Sequence, residues 1–127
     1  MVEYKRFLQD VKVLDFITTS DEADAVVKAV LGILASSMEE PEARKFTGNL
    51  PQPLTYERLR GMQTKTIAPS LDQIVSEIGN QFRLENDQAK RLVDTVFHTT
   101  RTVIGENVLT EVESDLPTDV AKELENA

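Results

Sequence analysis

Residues 20–27 read SDEADAVV and residues 86–93 read NDQAKRLV, nearly the same statement made twice, 66 positions apart. The match extends well beyond these stretches. With the chain slid on itself by 66, residues 16–51 lie over 82–117 without a gap. Eight of the 36 pairs are identical: Phe16/Phe82, Asp21/Asp87, Ala23/Ala89, Val27/Val93, Val30/Val96, Glu40/Glu106, Leu50/Leu116 and Pro51/Pro117. Unrelated chains of ordinary composition would share roughly two. Apolar positions also agree in kind, as in Val26/Leu92, Leu31/Phe97, Met38/Ile104, Phe46/Val112 and Leu54/Val120. Two amphipathic helices in register would explain part of this. They would not explain a Leu-Pro pair at the same distance downstream. The sequence therefore predicts an internal repeat.

Each copy parses into the same helices. A first helix is expected from about Glu3 to Leu14, with Tyr4, Phe7, Leu8 and Val11 on one face, and again from Leu71 to about Gln81, with Leu71, Ile74, Val75 and Ile78 inward. Ser70 and Gln73 supply a capping box for the second of these. A long helix follows, about Asp21–Met38 and Asp87–Ile104, capped by Thr19 with Glu22 in one copy and by Asn86 in the other. Short third helices are expected near Pro41–Thr47 and Asn107–Ser114. Each is ended by Leu-Pro, because the residue before a proline is pushed out of the α region. Last helices span about Leu54–Arg60 and Thr118–Glu125. No segment has the period-two alternation of a strand. The expected architecture is all-α: a compact helical bundle of two tandem repeats of about four helices each, unit 1 at about 3–61, a linker at 61–70 and unit 2 at about 70–126. A unit of about 60 residues is marginal alone, so the two should pack into one domain, 1–127.

Composition narrows the function classes. The chain has 127 residues, 40% hydrophobic and 28% charged, in the ordinary globular range. It has no cysteine, which removes disulfides and thiolate metal sites and fits a reducing cytoplasm. The longest nearly apolar run, Ala25–Ala35, is far short of the ~20 residues a membrane span needs. The net charge of −8 is concentrated in the second half, with 6 basic and 12 acidic residues over 62–127 against 8 and 10 over 1–61. With no basic stripe to neutralise phosphates, neither nucleic acid nor membrane is expected as a partner.

Differences between the copies are the better guide to a site. The first long helix is apolar nearly all round between Ala25 and Ala35, which predicts a central, buried position. Its copy has Arg91, Thr95, Thr99, Thr100 and Arg101 at the matching positions, which predicts a solvated face. Ala25, Ala29, Gly32 and Ser36 form a small-residue stripe that lets another helix approach closely. The stripe reads either as packing inside the monomer against the second unit or as a homodimer seam or groove for a partner helix.

His98 is the single histidine, so no pair of His ligands forms, and with Asp94 one turn before it the simple reading is a surface imidazole in a weak ion pair. The acidic groups Glu39/Glu40/Glu42 and Glu111/Glu113/Asp115 lack calcium-loop spacing and read as solvated faces. Five single glycines make no phosphate loop. The threonines 95, 99, 100 and 102 suggest a polar helix–helix contact.

The chain resembles the prokaryotic domain-of-unknown-function family 2267. The resemblance is carried by Tyr4-Lys5-Arg6-Phe7-Leu8 in the first helix, by Asp21-Glu22-Ala23 opening the long helix, by Leu50-Pro51 after the short one, and by the cycle then repeating. It departs from the family's Gly-Gly-Glu-like turn, having Glu39-Glu40-Pro41-Glu42 and Gly105-Glu106-Asn107. The resemblance implies an all-α tandem-repeat fold and no activity, catalytic residue or cofactor. The expectation is thus a non-enzymatic interaction or self-association module, alone or with a protein partner. The alternative is a helical carrier holding a small apolar ligand between its helices.

Overall fold

Thr19 and Ser70 open the two best-defined helices. The Thr19 hydroxyl accepts from the Glu22 N–H at 3.1 Å, and the Glu22 carboxylate accepts from the Thr18 N–H at 3.0 Å. Ser70 and Gln73 exchange the reciprocal bonds of a capping box, at 3.2 and 2.8 Å. A cap of this kind is worth about 1 kcal/mol, by satisfying donors that have no partner inside the helix. In the computed structural model, which describes residues 4–60 and 68–127, the helices are α1 (Tyr4–Lys12), α2 (Ser20–Ser36), α3 (Glu40–Gly48), α4 (Tyr56–Arg60), α5 (Leu71–Phe82), α6 (Asn86–Ser114) and α7 (Thr118–Asn126). No strand occurs among the described residues. Most of the expected linker, residues 61–67, lies outside them.

One local expectation is corrected. Asn86 is not the cap of α6. Glu85 holds that position, with the Gln88 side chain accepting from the Glu85 N–H at 2.9 Å. The second long helix and the third helix expected after it are both present, joined as α6 with a break and no intervening loop. The break between them is a single residue, Gly105, at φ 80 and ψ 168. A glycine turns the chain there without a loop, whereas Ser37, Met38 and Glu39 separate α2 from α3.

The helices pack around the two long ones. α2 touches α1, α3, α4, α5 and α6; α6 touches α1, α2, α3, α5 and α7. Each first helix, α1 and α5, lies against both α2 and α6. Phe7, Leu31, Leu34, Met38, Phe46, Leu92 and Phe97 are fully buried between them, each side chain contributing roughly 1.5–3 kcal/mol of hydrophobic stabilisation.

The expected faces of the long helices are corrected too. α2 is central but not buried all round: Ala25 is exposed, and Lys28, Ala29, Gly32, Ile33 and Ser36 are half-buried. On α6, Thr99 and Thr100 are fully buried, not solvated. The Thr100 hydroxyl donates to the Val96 carbonyl at 2.7 Å. That of Thr99 donates to Asp10 Oδ2 on α1 at 2.6 Å, with the Thr95 carbonyl 3.2 Å away. A hydroxyl satisfied by its own helix is cheap to bury. No helix among the described residues is long and apolar enough to cross a membrane.

Candidate functional site

Three of the four small residues on α2, Ala29, Gly32 and Ser36, line an open trough of about 680 Å³ between α2, α4 and α5. Ile33, Leu59 and Ile74 give it apolar walls, and Lys28, Gln73 and Glu77 a polar rim. Ala25, a turn earlier, is exposed and does not line the trough. A Cβ placed on Gly32 would lie 2.9 Å from the Leu59 carbonyl oxygen, so the backbone of α4 itself lies across the stripe. The closest approach to the stripe is therefore made by α4, in the same half of the chain, while α5 of the other half forms the far wall. Next to it, buried Arg60 donates from Nη1 to the Met38 carbonyl just past α2 at 2.7 Å and to the Ala35 carbonyl in the last turn of α2 at 3.4 Å. Arg60 and Ala68, which flank the undescribed residues, both line the trough.

A second cleft, of about 390 Å³, lies between α1 and α6, lined by Arg6, Asp10, Val13 and Leu14 with Asp94, Thr95 and His98. Val13 is 82% exposed on its rim. The three α6 residues stand 66 positions after Lys28, Ala29 and Gly32, which line the trough. His98 does not pair with Asp94 as its spacing suggested. It is exposed, with Nδ1 3.2 Å from the Ala127 carbonyl oxygen. Asp94 is held instead by Lys90 at 3.3 Å, and the same ammonium reaches Glu123 on α7 at 2.7 Å. Burial first, then the neighbouring Glu123 carboxylate, pushes the Asp94 carboxyl up to about 6. Glu123 moves down, through its hydrogen bonds with Asp94 and Lys90.

Sixty-six positions earlier, Asp24 and Lys28 form an ion pair with the charges in the opposite order. Lys28 reaches Asp24 at 3.0 Å, and the Tyr4 hydroxyl donates to Asp24. Burial alone would raise Asp24, but the bonds from Tyr4 and Lys28 outweigh it and its carboxyl is lowered. Lys90, Asp10 and Glu123 went unnamed in the sequence reading as site residues. For Lys90 the i,i+4 spacing to Asp94 was an available signal; for the other two, distant in sequence, there was none.

The two acidic groups, read as separate solvated faces, meet at one edge. Glu42, Lys45 and Phe46 of α3 face Val108, Glu111 and Val112 of α6 and Asp115 just past its end, with Lys45 and Glu111 2.5 Å apart. Burial, then Glu42 and Glu39, raises the Asp115 carboxyl. Among the described residues no three His, Asp or Glu side chains are grouped to hold a metal ion. The threonine cluster is accounted for by bonds within α6. Thr95 and Thr102 donate to the carbonyls of Arg91 and His98 at 2.8 and 3.1 Å, as Thr100 does to Val96. Only Thr99 also makes the expected helix–helix contact.

No curated protein matches the chain. A family model does, over residues 4–123, nearly the whole length of the bundle just described. The chain belongs to that family, the uncharacterized conserved proteins of domain-of-unknown-function family 2267 (DUF2267).

Proposed function

We propose that this chain is a duplicated helical module that acts by binding, not by catalysis, and that it receives a helix of a second copy or of a protein partner in the α2 trough. The duplication is supported by element boundaries that repeat at 66: α2 and α6 start at Ser20 and Asn86, and α3 starts at Glu40 as the chain resumes helix at Glu106 after Gly105. It is supported also by Lys45 and Glu111, 66 apart and in contact. A residue that touches its own counterpart lies on a two-fold axis, as in an isologous dimer interface. On this reading units 3–61 and 70–126 face each other across a pseudo-dyad beside that pair.

The observation that carries the binding reading is the trough itself. It opens beside α2 between α4 and α5; α4 covers Gly32, and the small side chains of Ala29 and Ser36 leave room there for an incoming helix. A second reading, a carrier for a small apolar molecule, is favoured by its volume of about 680 Å³, inside the range of about 300–1,000 Å³ usual for ligand sites. Among the carboxyls of the described residues, the raised Asp94 would argue most for an enzyme. Its raised carboxyl traces to burial and to Glu123 within a Lys90 network, which we read as structural. A cytoplasmic setting suits a chain without cysteine.

Native mass spectrometry of the protein purified gently from its host is the test. Whole multiples of the chain mass, or a co-purifying protein whose binding is lost in Ala29→Trp, are expected. An added small mass would replace the module with the carrier. A bare monomer at micromolar concentration would overturn both.

A further inference from the structure

Between α6 and α7, Lys90 is asked to satisfy two carboxylates at once, Asp94 at 3.3 Å and Glu123 at 2.7 Å. In the first half the same positions carry Asp24 and Lys28, one carboxylate with one ammonium and a tyrosine hydroxyl besides. Exchanging the charges in the second half, and adding Glu123 from α7, leaves one negative charge too many. Asp94 Oδ1 shows the consequence: it is buried and no donor reaches it. An ionised carboxylate only accepts hydrogen bonds, so a buried oxygen without a donor is costly. A protonated carboxyl is itself a donor, and Glu123 is the acceptor beside it. The groups that face Asp94 are Lys90 and His98 from its own helix, Arg6 and Asp10 from α1 across the cleft, and Glu123 from α7.

We propose that the α6–α7 seam is a proton-dependent clamp, in which one proton held between Asp94 and Glu123 seats α7 on α6 and its loss loosens that helix. The binding reading of the trough plays no part in this. The raised carboxyl of Asp94, at about 6, places the change close to physiological pH. The sign follows from linkage. Asp94 binds its proton more tightly in the folded chain than in the unfolded one, where carboxyls titrate near 4. Its contribution is therefore fully present below about pH 4 and is lost as pH rises through about 6. Glu123, shifted down, acts oppositely and only as pH falls below the usual glutamate value of about 4.5.

The decisive experiment is a ¹³C-carboxyl NMR titration of the full-length chain, paired with thermal melts of wild type, Asp94→Asn and a His98→Gln control. Asparagine is a permanent neutral donor. Asp94 is expected to titrate with a midpoint near 6. The melting temperature of Asp94→Asn should exceed that of wild type at pH 7.5, by roughly 2–5 °C, and the gap should close by pH 5. Amide protection at Val120 and Leu124, corrected for intrinsic exchange, should fall with rising pH in wild type and not in Asp94→Asn. A midpoint near 4 would overturn the clamp. So would an equal gap at both pH values, or a pH dependence abolished by His98→Gln and kept in Asp94→Asn.

Discussion

Gly105 sits at φ 80 and ψ 168, a region closed in practice to any residue with a Cβ, although nothing lies within 4 Å of where that atom would go. Gly32 is the reverse: its backbone is ordinary helix, but a Cβ would meet the Leu59 carbonyl at 2.9 Å. Gly48, at the end of α3, meets neither obstacle. Alanine at these three positions should therefore give three different answers. Gly105→Ala is expected to lose about 1–3 kcal/mol to backbone strain. Gly32→Ala gains about 1 kcal/mol of helix propensity but overpacks against a backbone atom that cannot rotate away, at about 1–3 kcal/mol, for a net loss. Gly48→Ala should match or exceed wild type, by up to about 1 kcal/mol. Urea unfolding with unchanged m-values reads all three. Gly32→Ala at or above wild-type stability would mean that α4 does not lie across the stripe as described.

At the scale of the helices, one part-buried side-chain hydrogen bond joins α1 and α6 among the described residues, Thr99 to Asp10 at 2.6 Å. Thr99→Val removes the only donor that α6 offers to Asp10 among the described residues, leaving Arg6 at 3.2 Å on the exposed side. About 1 kcal/mol should be lost. Thr100→Val deletes a hydroxyl that merely returns to its own helix at Val96, so it should stay within a few tenths of wild type. Equal losses in equilibrium unfolding would show that the α1–α6 contact contributes nothing of its own. The pair also marks where sequence stops being legible. Helix positions, the Thr19 and Ser70 caps and the break at Gly105 follow from local chemistry, and local chemistry is what a sequence records. The side of α6 that is covered depends on α1, α2, α3, α5 and α7 all packing against it, and buried threonines that bond backwards look like surface ones. The stripe on α2 was visible as a run of small residues, but α4 as its neighbour was not. The Asp94–His98 spacing pointed to a pair that Lys90 and the distant Glu123 pre-empt.

At the scale of the whole molecule, the proposed pseudo-dyad passes beside Lys45 and Glu111, and it makes a demand that unrelated halves would not. In two identical units joined by a two-fold axis, a charged residue on the axis would face itself and repel. Here Lys45 and Glu111, 66 positions apart, carry opposite charges and meet at 2.5 Å. Lys45→Glu adds a fourth carboxylate to Glu42, Glu111 and Asp115, and Glu111→Lys opposes Lys45 with a like charge. Each single reversal should cost about 0.2–1 kcal/mol, since both side chains are more than half exposed (57% and 54%) and water screens them. The exchanged pair, Lys45→Glu with Glu111→Lys, should recover most of the loss, because it restores the contact with its direction reversed. The double-mutant cycle isolates that coupling from the general acidity of the edge. At about 1 M salt, where the screening length falls to about 3 Å, the coupling should largely disappear. Two single losses that simply add, at low salt, would remove the Lys45–Glu111 contact from the proposed axis and leave the duplication resting on helix boundaries alone.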